Sequence, residues 1–136
     1  MNEDTIFEKI LKGEIPAHKV YENEYTFAFL DIAPINKGHT LVIPKLPTRN
    51  ILSVDQKTFG HVMETVRFLA PKIKEATGAD GINIGINNEP AAGQVVFHLH
   101  VHIMPRFIGD GKKLWPGKEY LAGEADIVLN SIKKLL

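Results

Sequence analysis

The stretch Gln94-Val-Val-Phe-His98-Leu-His100-Val-His102-Ile-Met-Pro-Arg106 constrains this chain more than any other. From Val96 to Met104 it alternates without a break. Phe97, Leu99, Val101 and Ile103 fall on one side, and Val96, His98, His100, His102 and Met104 on the other. A period of two, rich in Val, Ile and Phe, predicts a β-strand with one apolar face. The Gly93-Gln94 turn would start it and Pro105 would stop it. Alternate residues on a strand stand about 6.5–7 Å apart at Cα, so three imidazoles share one face. The plain explanation is a solvated face that happens to be rich in His. Two chemical explanations compete with it: neutral imidazoles hold a transition metal, or one attacks as a nucleophile while its neighbours handle charge and protons.

Composition narrows the alternatives. Lys plus Arg equals Asp plus Glu, 16 against 16, so no global field draws nucleic acid or an anionic membrane, and neither is expected as a partner. There is no cysteine, which excludes disulfides, thiolate zinc sites and thiol catalysis. The start, Met-Asn-Glu-Asp, lacks a basic region and an apolar run, and no stretch of about 18 apolar residues occurs. The expectation is a soluble cytoplasmic protein. At 136 residues the chain predicts one compact domain with a core of its own.

In chain order, Asp4 is placed to cap a short helix with Ile6, Phe7, Ile10 and Leu11 as its apolar stripe, ended by Gly13 and Pro16. Residues 18–22 and 26–30 read as a hairpin turning at Asn23-Glu24. Asp31 and His39 flank the turn-rich loop 33–38, and Thr40-Leu-Val-Ile43 forms a strand ended by Pro44. Ser53-Val-Asp-Gln56 has the spacing of a capping box. It opens a helix over about 55–77, with Pro71 expected to kink or divide it and Gly78 to end it. His61 on that helix reads as half-buried and structural. Residues 81–86 form a further strand, and the loop 87–94 leads to the histidines with backbone N–H groups that suit an anion. Residues 109–113 read as a flexible connector, and 123–136 as an amphipathic tail helix with Ile127, Val128, Ile132, Leu135 and Leu136 as its apolar positions. The order of elements predicts an α+β fold on an antiparallel sheet.

Spacing weighs against the metal. His98/His100 or His100/His102, with His39 and a water, would make a catalytic zinc site. Three His in a row span roughly 13 Å, however, too far for all to reach one ion. No Asp or Glu on the strand orients the rings. A central nucleophile flanked by two charge-handling imidazoles uses all three, and phosphorus is a suitable target.

His98-Leu-His100-Val-His102-Ile-Met resembles the motif of the histidine-triad (HIT) family, His-φ-His-φ-His-φ-φ. The blocks Asp4-Thr-Ile-Phe7, Gly13-Glu-Ile-Pro16, Ala28-Phe-Leu-Asp31-Ile32, Gly38-His-Thr-Leu-Val-Ile-Pro-Lys45 and Gly93-Gln94 are similar in the same order. The resemblance implies an α+β half-barrel that pairs through its long helix and a strand into a homodimer with a continuous ten-stranded sheet. It divides the chain into a HIT domain over 1–110 and a C-terminal extension over 111–136, with a Trp-Pro segment and a tail helix packed on the same domain. The implied activity is hydrolysis of AMP-linked phosphoramidates or mixed anhydrides through a nucleotidyl-histidine. The purine nucleotide is the expected partner, and no cofactor or metal is expected.

By position His100 would attack the α-phosphorus, His102 would hydrogen-bond the phosphoryl oxygens, and His98 and His39 would complete the network. Asp31 matches the ribose carboxylate. Asn87 and the backbone at Gly93, Gln94 and Val95 match phosphate-side contacts, while Ile6, Phe7, Ile10, Phe29 and Ile32 match the walls around the base. Three departures qualify the resemblance. Thr5, Glu8 and Pro47 stand where many bacterial members carry structural zinc ligands. Val95 stands where the phosphoramidase (Hint) branch has a Ser thought to assist the leaving group. Met104-Pro-Arg106 is similar to the dinucleoside polyphosphate (Fhit) branch, whereas Leu114-Trp-Pro-Gly117 is similar to the Hint branch. Dinucleoside polyphosphate hydrolysis, or a nucleotide-binding regulatory role with incidental hydrolysis, is therefore kept as an alternative.

Overall fold

The computed structural model describes residues 3–136; Met1 and Asn2, part of the N-terminal reading above, lie outside it. The elements are α1 (Ile6–Leu11), β1 (Lys19–Glu22), β2 (Thr26–Leu30), β3 (Thr40–Pro44), α2 (Gln56–Thr77), β4 (Gly81–Gly85), β5 (Val101–Arg106) and α3 (Glu124–Lys133), with a 3-10 turn at Pro90–Ala92. The strands form one open antiparallel sheet in the order β1-β2-β3-β5-β4, so β1 and β4 are its edges. This is the expected α+β class. No helix among the described residues is long and apolar enough to cross a membrane.

Strand alternation divides the core into two. Ala28, Val42, Val101 and Ile103 face α2 and pack on its buried stripe of Val62, Val66, Leu69 and Ile73. Their neighbours in sequence, Phe29, Leu41 and Ile43, face the other way and enclose Phe7 of α1. Leu41 pairs directly with His102 in the β3–β5 ladder. The histidine face is therefore the α1 face, and α2 supports the sheet from behind.

Local chemistry corrects several boundaries. Thr5, not Asp4, caps α1: its hydroxyl accepts from Glu8 N at 3.2 Å and the Glu8 carboxylate returns to Thr5 N, a reciprocal capping box. Asp55, not Ser53, caps α2 by accepting from Thr58 N at 2.8 Å. Pro71 neither divides α2 nor ends it, although its missing N–H leaves the Arg67 carbonyl without the usual donor. Gly78 closes the helix at φ 71°.

The histidine strand is shorter and later than its alternation predicts. It begins at Val101: pairing with β4 stops at Gly85↔His102, where β4 ends, and pairing with β3 stops at Val42↔Val101 although β3 itself runs on to Pro44 beside β2. Residues 95–100 lack a ladder. Pro105 does not stop the strand but lies inside it, opposite Ile82. Its carbonyl accepts from Asn36 Nδ2 at 2.9 Å on the β3 side. A residue's N and O face the same neighbour, so the absent N–H also points where β3 has already ended at Thr40↔Ile103.

The segment 109–113, read as a flexible connector, is anchored at Asp110. That carboxylate accepts from Arg106 at 2.9 and 3.1 Å, Asn36 Nδ2 at 3.0 Å, Phe107 N at 3.1 Å and Lys112 N at 2.9 Å. Beyond it, every residue from 111 to 136 is exposed. The tail helix α3 has no buried residue, in contrast with the packing expected on its own domain.

Candidate active site

His39 stands at the mouth of β3, His102 on β5, and His98 and His100 on the unladdered segment before it. Burial decides their charge. Desolvation pushes all four imidazoles below their usual pKa, and His102 falls to about 4 because His100 and His39 add like-charge repulsion. All four are neutral near pH 7.

Neutral imidazoles carry one proton each, and the hydrogen bonds assign it. Ile35 N donates to His39 Nδ1 at 3.1 Å, so the His39 proton sits on Nε2. That nitrogen lies 2.9 Å from His102 Nδ1 and donates to it, which puts the His102 proton on its own Nε2. His102 Nε2 is buried without a partner: a free donor. His100 Nδ1 lies 2.7 Å from the His98 carbonyl and must donate to it. His100 Nε2 therefore holds a lone pair, and no partner among the described residues occupies it. His98 Nε2 donates to the Pro44 carbonyl at 2.8 Å, leaving a buried lone pair on Nδ1. One acceptor nitrogen on His100 and one donor nitrogen on His102 thus belong to rings whose centroids are 5.0 Å apart.

The remaining predicted residues separate into groups. Asp31 lies beside the network, its Oδ2 3.7 Å from His39 Nε2. Phe7 is buried and meets the His100 ring edge to face at 4.9 Å between centroids. Phe29 and Ile10 pack around Phe7, so these three support the histidines as core. Ile6 and Ile32 are instead 52% and 94% exposed and enclose nothing in the single chain. Asn87 lies under Gly93, whose missing Cβ would meet its amide at 3.4 Å. Gly93 N donates to Pro90 O at 3.0 Å and Gln94 N to Glu89 O at 3.2 Å. Of the three predicted backbone contacts only the Val95 N–H is free, and Gln94 is an internal tie with a 2% exposed side chain.

A cavity of about 510 Å³ opens beside His39 and His102, with Asn87, Met104, Arg106 and Trp115 on its walls. Asp31, His39 and His102 also present ligand-type atoms within 4.8 Å of one another, but two of those nitrogens are already bonded to each other. The positions of the relatives' structural zinc do not fit an ion here, since Thr5 and Glu8 cap α1 and Pro47 offers no ligand.

Sequence reasoning missed Arg49, Asn50 and Glu89, which tie the loop before the histidines to the loop after β3. Forty residues separate Arg49 from Glu89, and no local spacing signals the pair.

An open antiparallel sheet backed by one long helix, with neutral histidines lined up on its other face, is the architecture of the histidine-triad class. The chain belongs to the HIT domain family, whose model matches residues 12–109. An uncharacterized HIT-like protein of Methanocaldococcus jannaschii is 44% identical, over 94% of this chain and 98% of that one. The crystal structure of SMU.412c from Streptococcus mutans superposes with a TM-score of 0.92 at 41% identity, covering 99% of this chain and 87% of that one. An Arabidopsis thaliana protein named adenylylsulfatase HINT3 is 39% identical over 78% of this chain and 54% of that longer protein.

Proposed function

We propose that this chain is a nucleotidyl hydrolase that releases AMP from a substrate in which AMP is joined to a leaving group. The observation that carries the reading is the proton assignment: His100 Nε2 is a lone pair with no competing bond, and His102 Nε2–H is a buried donor with nothing to donate to. A buried unpaired donor is costly, so a ligand oxygen is its natural partner.

In the first step His100 Nε2 forms a bond to the α-phosphorus, and the bond to the leaving group breaks with its electron pair. His102 Nε2–H donates to a phosphoryl oxygen as charge rises. In the second step a water oxygen bonds to phosphorus, the N–P bond breaks, and His100 recovers its lone pair as the water proton is released. His39 is a positioning residue that holds His102 in the donor tautomer. His98 anchors the segment to Pro44, and in this reading Asp31, beside His39, takes the ribose hydroxyls. Anionic leaving groups, such as the sulfate implied by the name of the Arabidopsis relative, depart without a proton. An amine needs one, and Val95 offers none.

The test is AMP release from adenylyl sulfate, an adenosine phosphoramidate and a diadenosine polyphosphate. His100→Asn should abolish turnover of whichever is cleaved while AMP still binds. A fully active His100→Asn chain would sink the proposal. A second reading, a nucleotide-binding regulatory protein, draws on the exposed apolar tail. Deleting residues 122–136 would then cost partner capture but not turnover. A homodimer joined through the open β4 edge, giving ten continuous strands, is part of the same proposal.

A further inference from the structure

Glu89 is the one non-glycine residue with positive φ among those described, at φ 75° and ψ 159°. That region belongs to glycine, and another residue stays there only where its surroundings overdetermine it. Here they do. Arg49 grips the Glu89 carboxylate with both Nε and Nη2, at 2.7 and 2.8 Å, and Asn50 Nδ2 adds a third bond at 2.6 Å. The guanidinium also stacks 4.3 Å over the Phe97 ring. Arg49 therefore holds the loop at both ends, before Pro90 and after Val96.

Gln94 fills the middle. Its Oε1 accepts from Glu89 N at 2.9 Å and Asn50 Nδ2 at 3.0 Å. Its Nε2 donates to the Arg49 carbonyl at 2.8 Å and the Val96 carbonyl at 3.1 Å. Between these ties the N–H groups of Val95, Val96 and Phe97 have no partner among the described residues, directly before the histidines. Successive free amides of this kind form an anion-binding concavity only while the backbone is held in one conformation.

We propose that Arg49 and Glu89 are positioning residues: their forked ion pair fixes the loop so that the Val95–Phe97 amides meet the phosphoryl oxygens. The assignment rests on the hydrolase reading above and adds a role for residues that bond to none of the four histidines. The pair is half exposed, so its contribution to global stability is small. Its effect is geometric.

The experiment compares wild type with Arg49→Ala, Arg49→Lys, Glu89→Gly and the Arg49→Ala/Glu89→Gly double variant. It reads kcat, KM, thermal midpoint and hydrogen exchange over residues 88–98. Amides facing developing charge act on the transition state more than on substrate binding. Glu89→Gly and Arg49→Ala should therefore each lower kcat by about 10- to 100-fold with KM changed little. Glycine accepts the positive φ, so Glu89→Gly should lose activity without losing its midpoint. Arg49→Lys, which keeps charge but not the fork, should recover part of the rate. The double variant should be no worse than either single one. Exchange over 88–98 should rise while that of α2 stays unchanged. Wild-type kcat and exchange in both single variants would overturn the proposal, as would a rate loss that only tracks a lowered midpoint. If the wild-type chain cleaves none of the substrates, the hydrolase reading fails, and the exchange data alone decide whether the pair holds the loop.

Discussion

At the scale of single residues, the site is a chain of proton assignments rather than a set of charges. Ile35 N–H sets His39, His39 sets His102, and the His98 carbonyl sets His100. Neutrality has a measurable cost. As pH falls through 6.5 an unfolded His102 takes a proton, while the native ring stays neutral until about 4. The unfolded state binds more protons in that window, so stability falls as pH falls and levels off below it. A shift of that size corresponds to about 3 kcal/mol, and the other three histidines act in the same direction. Urea unfolding at several pH values from 7.5 to 4 should show this loss, and His102→Asn should flatten it. The Glu89 carboxylate, held to about 2 by Arg49 and Asn50, titrates below the window. Val95 gives a second expectation at this scale. Val95→Ser restores a hydroxyl proton donor beside the leaving group and should raise phosphoramidate turnover about 10-fold or more, with little change for adenylyl sulfate; equal change for both would remove Val95 from the specificity argument.

At the scale of elements, what was legible depended on whether the signal was periodic. The α2 stripe, the Gly78 stop and the hairpin at Asn23 follow from spacing and turn chemistry, and the structure has them. The alternation at the histidines correctly put them on one face, but side-chain period cannot reveal where backbone pairing to a neighbour stops, and here it stops at Val42 although β3 runs on to Pro44. The ladder therefore begins at Val101. Pro105 was misleading for the same reason, since its missing donor matters only if a strand lies beside it. Caps were the finer error: Ser53 and Asp55 both precede the helix, and only geometry separates them. Asp55→Ala should cost about 1 kcal/mol of stability, and Ser53→Ala close to none. Thermal midpoints of the two variants check this directly. The ties from Arg49 and Asn50 to Glu89 and Gln94 span 39 to 45 residues, a distance over which no pattern in one sequence speaks.

At the scale of the whole molecule, the described chain has two unsatisfied features, a sheet edge and an uncovered helix. The edge strand β4 lacks a second neighbour, and Lys113–Trp115 share a cavity with Asn83–Gly85 of that strand. Beyond them, α3 exposes Ile127, Val128, Leu129 and Ile132 by 43–68%. An isolated ten-residue helix is marginal in water. The expected outcome is a dimer in solution, measured by light scattering on the eluted peak. Placing Lys at Ile84, on the β4 edge, should yield monomers. A wild-type chain that remains monomeric at tens of micromolar would remove the ten-stranded sheet from the proposal.

The neutral histidines have a consequence for how a nucleotide arrives. Many phosphate sites advertise themselves through lysine and arginine, and their capture rates fall steeply as salt rises. Here the guanidinium on the cavity wall, Arg106, is bound to Asp110, Arg49 is bound to Glu89, the imidazoles are uncharged, and Lys113 is the one cation on that wall without a carboxylate partner among the described residues. In the proposed reading a phosphate is recognised chiefly at hydrogen-bond range, by N–H groups left without a partner. For the proposed activity, capture should weaken only gently as salt rises, by about what the single Lys113 charge contributes, and selection among nucleotides should follow shape and hydrogen bonding more than charge count.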